Sequence, residues 1–283
     1  MDSPNFLVGL YNHGDAPDEW FAHLARCLLR ASRLVIAGHA HRMLEVEFYL
    51  QSAAHRDPFA HAHPAQATCG RWYLHRVGEG YRGGSFKGMD ITFGGLQEFG
   101  GILIRTLEAP DGQIINGSSL CVERALELTR EESPASLDAA LGERMVWDDS
   151  SPVHVVEARP EGPEHGEILQ TARVGLTLKR AAAHPAMPAF IMAPYRFLTD
   201  PTIKKGKVHT IVALHQSGME AADIARVVRS PAKSVRGYVE AYEAGASRAS
   251  LAQWFGESLA TRDVCVMHGA WAARYGAGPL AYR

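Results

Sequence analysis

Glu45 and Glu47 stand two residues apart in the run Met43 to Leu50, where Leu44, Val46 and Phe48 alternate with Glu45, Glu47 and Tyr49. A period of two is the pattern of a half-buried strand, and it puts both carboxylates and the Tyr49 phenol on one face. Two carboxylates so placed suit general acid or base work on a water molecule or a glycosidic bond. The plainer reading of the same spacing is a strand face that meets solvent, where most glutamates lie. His39, His41, His55, His61 and His63 lie close together, but no H-E-x-x-H spacing accompanies them. The chain is therefore expected to carry no metal and no cofactor. Cys27, Cys69, Cys121 and Cys265 are far apart and form no C-x-x-C, which argues against a zinc ribbon or a secreted disulfide framework and for reduced cytosolic thiols.

The elements that must position these groups are bounded by composition. The chain has 283 residues, 46% hydrophobic and 21% charged, which suits one large domain or two small ones with a core of their own and excludes a disordered chain. Lys and Arg number 29 against 31 for Asp and Glu, so binding by gross positive charge is excluded and any basic patch must be local. Met1 to Tyr11 lacks a basic region followed by an apolar run, and no apolar stretch approaches the length of a membrane span.

Apolar residues at three- and four-residue steps predict a helix over Asp18 to Arg33, followed by strands at Leu34 to Ala37 and Met43 to Leu50. His55 to Gly70 reads as a loop. Short strands are expected at Trp72 to His75, Gly88 to Phe93 and Gly101 to Leu107, then a helix over Leu120 to Leu128 capped by Ser118 or Ser119. Glu157 to Glu167 reads as an exposed loop, and Ile168 to Leu178 as one more strand.

Composition changes at Asp200. Between Pro201 and Glu240 seven cations (Lys204, Lys205, Lys207, Arg226, Arg229, Lys233, Arg236) face three acids, and helices are expected at Lys207 to Gln216, Ala221 to Val228 and Pro231 to Glu243. That is helix-turn-helix spacing. Ile211, Leu214, Ile224, Val227, Val235 and Val239 supply its apolar core, and Trp254, Phe255 and Leu259 suggest further helix docking. The unit either lays Lys233, Arg236 and Arg229 against phosphates or caps the preceding domain.

Several blocks in one order resemble a known family. Leu44-Glu45-Val46-Glu47-Phe48-Tyr49-Leu50 followed by Asp57-Pro58-Phe59-Ala60-His61 resembles the E-x-E-x-Y-L and D-x-x-x-H signature of the alkyladenine (3-methyladenine) DNA glycosylases. Ile102 to Glu108 is similar to that family's V-L-L-R-A-L-E strand, and Asn116 to Cys121 to its G-P-S-K-L-C helix start. Ala172-Arg173-Val174-Gly175 and Pro194-Tyr195-Arg196-Phe197 resemble its closing R-I-G and P-W-R-F elements. The resemblance implies a mixed α/β (α+β) fold, one curved antiparallel-sheet domain with surrounding helices over residues 1–200, beside which the composition and helical spacing set a C-terminal helical, helix-turn-helix-like extension over 201–283.

The resemblance also implies roles. Glu47 falls on the glutamate that activates water, Arg105 on the arginine that positions it, and Tyr49 and His61 on the pocket for a flipped base. Lys87-Gly88-Met89-Asp90 matches the wedge run, with Lys87 at the intercalating position and Phe86 beside it. Gly84 and Gly94 replace a stacking tyrosine and a pocket asparagine, which leaves room for a larger base whose hydroxyls could bond to Asp90. Lys87 is not at a Schiff-base position, so cleavage is monofunctional and leaves an abasic site.

The expected activity is excision of a damaged or modified base from double-stranded DNA by a cytoplasmic, nucleoid-associated monomer. Lys204, Lys205, Lys207, Arg229, Lys233 and Arg236 contact the backbone in this reading. A glycosylated pyrimidine of phage DNA is one candidate target, in defence rather than repair. The alternative is a non-catalytic regulator that recognises modified DNA.

Overall fold

The computed structural model describes residues 17–159, 167–248 and 250–276. The reading of Met1 to Tyr11 and most of the loop expected over Glu157 to Glu167 lie outside them. The fold is mixed α+β, with an antiparallel sheet, flanking helices and C-terminal helices. It divides into two compact units, Met1–Arg56 with Ala60–His165, and Asp57–Phe59 with Gly166–Arg283. That boundary falls well before the change in composition at Asp200, because two strands upstream of it belong with the C-terminal helices.

In the first unit, α1 (Pro17–Ala31) carries Asp18 and Glu19 in its first turn and Arg30 in its last, signs that complement the helix dipole. The strands β1 (Ser32–Ile36), β2 (His39–Gln51), β3 (Cys69–Leu74), β6 (Met89–Phe93), β7 (Phe99–Glu108), β8 (Ile114–Asn116) and β9 (Val153–Glu157) form the sheet. Their order is β9-β1-β2-β7-β6-β3, all antiparallel, with β8 on the end of β7. A two-stranded ribbon, β4 (Arg76–Val77) with β5 (Gly80–Tyr81), lies between β3 and β6 in the chain. One sheet face is apolar: Phe21 of α1 stacks on Phe48 with centroids 4.7 Å apart, and Trp20 meets Phe93 edge-on at 4.9 Å. At about 25 cal/mol per Å² of apolar surface, burying such rings dominates the stability of the unit.

The helix α2 (Ser118–Thr129) begins at Gly117, with no side-chain cap. Ser119 instead donates to the Gly84 carbonyl at 2.7 Å. The helix α3 (Pro134–Leu141) is capped by Ser133, whose hydroxyl accepts from the Ser136 amide at 3.1 Å.

In the second unit, β10 (Leu169–Thr171) pairs antiparallel with β11 (Arg196–Leu198), followed in the chain by α5 (Lys207–Gln216), α6 (Ala221–Val227), α7 (Ala232–Arg248) and α8 (Thr261–Tyr275); α4 (Met187–Phe190) is a single turn. The strand expected through Leu178 stops at Thr171. Arg196 explains why β11 belongs here: fully buried, it donates to Thr171 at 3.1 Å and to the Lys205 carbonyl at 3.2 Å. Arg173, also buried, pairs with Asp57 and lies over the Phe59 and Tyr195 rings at 5.6 and 5.3 Å. Ile211, Leu214, Ile224 and Val235 are buried as their spacing predicts, whereas Val239 is only half-buried and Val227 is exposed, with Val228 buried in its place.

A buried histidine pair joins α5 and α8, His209 Nδ1 to His268 Nε2 at 2.8 Å. Burial pushes His268 down from 6.5 to about 3. The folded protein holds this ring neutral while the unfolded chain protonates it below its ordinary value, so stability is lost as pH falls from about 6.5 towards 3, by about 1.4 kcal/mol per pH unit. His268→Gln should flatten the decline of Tm between pH 6.5 and 4; a Tm profile with unchanged slope would refute this assignment. Among the described residues no helix is long and apolar enough to cross a membrane, and no group of His, Cys, Asp or Glu is placed to hold a metal.

Candidate active site

The polar face of β2 does not meet solvent. Glu45 and Glu47 are both 0% exposed, which overturns the plainer reading of their spacing. Arg105 on β7 lies between them: its Nε donates to Glu45 Oε1 at 3.1 Å and lies 3.3 Å from Glu47 Oε1, and its Nη1 is 3.4 Å from Glu47 Oε2. Burial alone would push the guanidinium down, but the charges of Glu47 and Glu45 outweigh it and raise Arg105 above its ordinary value.

Irregular pairing makes this geometry. The register of β2 on β7 slips between Met43 and Glu45 and again between Glu45 and Val46, where Thr106 and Ile104 are successive partners and Arg105 is skipped. Bulges of this kind re-aim a side chain within a ladder. Thr106 donates to Glu45 Oε2, and Asn116 of β8 donates to Thr106 at 2.8 Å. Glu45 is thus held directly by Arg105 and Thr106, and Asn116 fixes Thr106 from behind. Glu47 accepts the Tyr49 hydroxyl at 2.7 Å on Oε2. A carboxylate gripped by an arginine and a phenol is held in one orientation, as a base or a stabiliser of positive charge requires.

The same face continues across β7 to β6. Tyr73 pairs with Asp90, Asp90 with Leu103, and Leu103 with Glu47, so these side chains form one row on one side of the sheet. Asp90 is 2% exposed; its Oδ1 meets His75 Nε2 at 2.7 Å and its Oδ2 accepts from Gln66 at 3.1 Å. Gly101 of β7 makes this possible, since a Cβ there would lie 2.6 Å from Asp90 Oδ2. His61 reaches the cluster from its loop, its ring 4.3 Å from that of His75 and its Nδ1 3.4 Å from the Tyr73 hydroxyl. Burial first, then the charge of His75, pushes His61 down to about 4. Burial pushes the Tyr73 phenol up to about 12, so it stays protonated.

Other expected positions fall elsewhere. Lys87 does not project as a wedge; it folds back onto Glu123 and only 11% of its side chain is exposed. Phe86 beside it is 71% exposed. Gly94 opens no space for a larger base, because a Cβ there would lie 1.9 Å from the Gln66 carbonyl: the missing side chain accommodates backbone. Gly84 has open space around its Cβ position and a φ of +56°, a conformation costly to any tyrosine placed there.

In the second unit Lys204, Lys205, Arg229, Lys233 and Arg236 are exposed, whereas Lys207 donates to the Val228 carbonyl at 2.8 Å and ties α5 to the turn after α6. Spacing led to Glu47 and the family resemblance to Arg105 and Asp90, but both passed over His75, Gln66, Tyr73, Thr106 and Asn116. The signal for His75 was the expected strand Trp72 to His75, whose alternation sets it two residues from Tyr73 on the same side.

No family model matches the chain. Over 131 residues it is 34% identical to an uncharacterized protein of Acanthamoeba polyphaga mimivirus, a stretch that covers 41% of this chain and 61% of that relative. The chain therefore spans about three fifths of the length of the curated relative it matches.

Proposed function

We propose that the protein is a monofunctional DNA glycosylase of the alkyladenine type, which extrudes a damaged or modified base and hydrolyses its N-glycosidic bond. The observation that carries this reading is the buried Glu47 carboxylate, held by Arg105 and Tyr49 on a sheet face that also bears Asp90 and that His61 approaches from its loop. Cleavage of an N-glycosidic bond passes through an oxocarbenium-like state. A nearby carboxylate both stabilises that charge and takes the proton of the attacking water. Base extrusion leaves a gap in the stack that an apolar wedge fills, and the exposed Phe86 ring is the group of that kind beside the Lys87-Gly88-Met89 run. The ordered sequence blocks support the same assignment. Duplexes with single modified bases, incubated with the wild type and with Glu47→Gln, test it by alkali-labile abasic sites. Tight binding to modified DNA with no release under any condition would favour the regulator instead.

In this reading the exposed cations of the second unit contact phosphates. Lys233 and Arg236 are three apart on α7 and share a helical face, and Arg229 precedes them in the turn. Alanine at all three should reduce the slope of log K against log salt by about 2 to 3, at about 0.9 per lost phosphate contact. An unchanged slope would leave these residues no role in binding. Substitution is the right test because deletion after Gly206 would strip α5 and α8 from Arg196 and the buried histidine pair.

A further inference from the structure

Two residues of the second unit carry a cost that its packing does not explain. Gly237 stands inside α7, where glycine is less stable than alanine, and a Cβ there would meet nothing within 4 Å. Gly245, the other glycine of this helix, is needed by the fold: its Cβ would lie 2.0 Å from the Val266 carbonyl oxygen, and on α8 a Cβ at Gly269 would lie 2.0 Å from that of Tyr242. Arg229 closes α6 at φ +49°, in the left-handed region where glycine is usual, and it is exposed. A bare stretch of backbone and a cation thus stand on the surface where the fold alone would take alanine and glycine.

The close crossing at Gly245 and Gly269 fixes the C-terminal half of α7 on α8, with Val212, Ala241 and Cys265 in a common core. The first two turns of α7 have a different setting. Val235 is fully buried there, like Ile224 and Val228, and Lys207 ties α5 to the turn between α6 and α7. Lys233 and Arg236 are exposed, and Gly237 shares their side of the helix. Glu240 and Glu243 follow on that side, also exposed, so the stripe changes sign after Gly237. A helix laid lengthwise along phosphates would set both acids against them. One that enters a groove by its N-terminal end presents the two cations, the glycine and the positive end of its dipole, and keeps the acids back. The major groove, about 12 Å wide, admits a helix, and guanine there offers O6 and N7 to arginine or lysine.

We propose that α5, α6 and α7 form a sequence reader for duplex DNA. The first two turns of α7 enter the major groove, Arg236 and Lys233 bond to guanine edges, and Gly237 lets the helix backbone come close to the bases. Arg229, in the turn, stays on a phosphate and sets the register. Residues three apart on a helix are separated by about 4.5 Å along its axis, against about 3.4 Å per base pair, so the two readers address neighbouring pairs. Away from such a sequence the same cations face phosphates, which holds the protein on any duplex. Sequence reading needs no modified base, so it stands or falls apart from base excision.

The test is selection by the whole chain from a pool of random, unmodified duplexes, followed by binding of the enriched and scrambled duplexes at one salt concentration. The pool should converge on a short motif with guanines at neighbouring positions, bound at least about tenfold more tightly than the scrambled duplex. Arg236→Ala should lose at least about fivefold on the motif and accept any base at one guanine position, whereas Arg229→Ala should weaken both duplexes alike. Gly237→Ala should raise Tm by about 2–4 °C and still weaken the motif at least about fivefold, a combination that damage to the fold does not produce. A pool that enriches no such motif, Arg236→Ala that retains the preference, or Gly237→Ala that binds the motif as tightly as the wild type would each overturn the reader. None of these outcomes touches the assignment of Glu47, which is tested on modified duplexes.

Discussion

Glu47→Gln is expected to slow base release by at least about 10³-fold, or roughly 4 kcal/mol of transition-state stabilisation, while the protein stays folded with a Tm within a few degrees of the wild type. Glutamine keeps the shape of the side chain and can still accept the Tyr49 hydroxyl. It carries no charge to stabilise the oxocarbenium state and cannot take a proton from water. The loss should therefore fall on the chemical step and leave binding of the modified duplex intact. Glu45→Gln is the contrasting variant. Its carboxylate is taken by Thr106 and Arg105, and its loss should act through the position of Arg105, with a smaller effect on rate. A Glu47→Gln protein as active as the wild type would remove this carboxylate from the reaction.

Arg105→Gln should be the most destabilising single change in the first unit. Glu45 and Glu47 are both 0% exposed, and the guanidinium is the cation that stands between them. Removing one partner from a buried ionic cluster costs about 3–5 kcal/mol, because the remaining charges stay desolvated. At about 2–4 °C per kcal/mol for a domain of this size, Tm should fall by about 6–20 °C. The sign of the pH dependence follows. Without the arginine the buried carboxylates favour their neutral form in the fold, so the deficit should shrink as pH falls from 7.5 to 5. Glu45→Gln combined with Arg105→Gln should recover part of the lost stability. A double variant no more stable than Arg105→Gln, or a deficit independent of pH, would refute the ionic explanation.

The regular elements were legible because their periods are local. Alternation in Met43 to Leu50 marked β2 and put Glu45, Glu47 and Tyr49 on one face, and three- and four-residue steps marked α1, α5, α6 and α7. Burial of that polar face was not legible from the strand alone. It depends on Arg105, about sixty residues away, reaching across a bulge that no local pattern announces. The Asp90 cluster was hidden for the same reason: His75, Gln66 and Gly101 meet it from three separate segments. Glycine-rich strands misled in the other direction. Gly94 read as a missing pocket side chain, whereas the position is filled by the backbone of the 64–67 turn.

The most direct measurement is mass spectrometry of the small molecules liberated from a panel of alkylated, deaminated and phage-modified genomic DNAs. The wild type should release an intact free nucleobase from at least one of them, with the strand broken only after alkali, and Glu47→Gln should release none. No free base from any DNA in the panel, or the same base at the same rate from both proteins, would contradict hydrolysis driven by the Glu47 carboxylate.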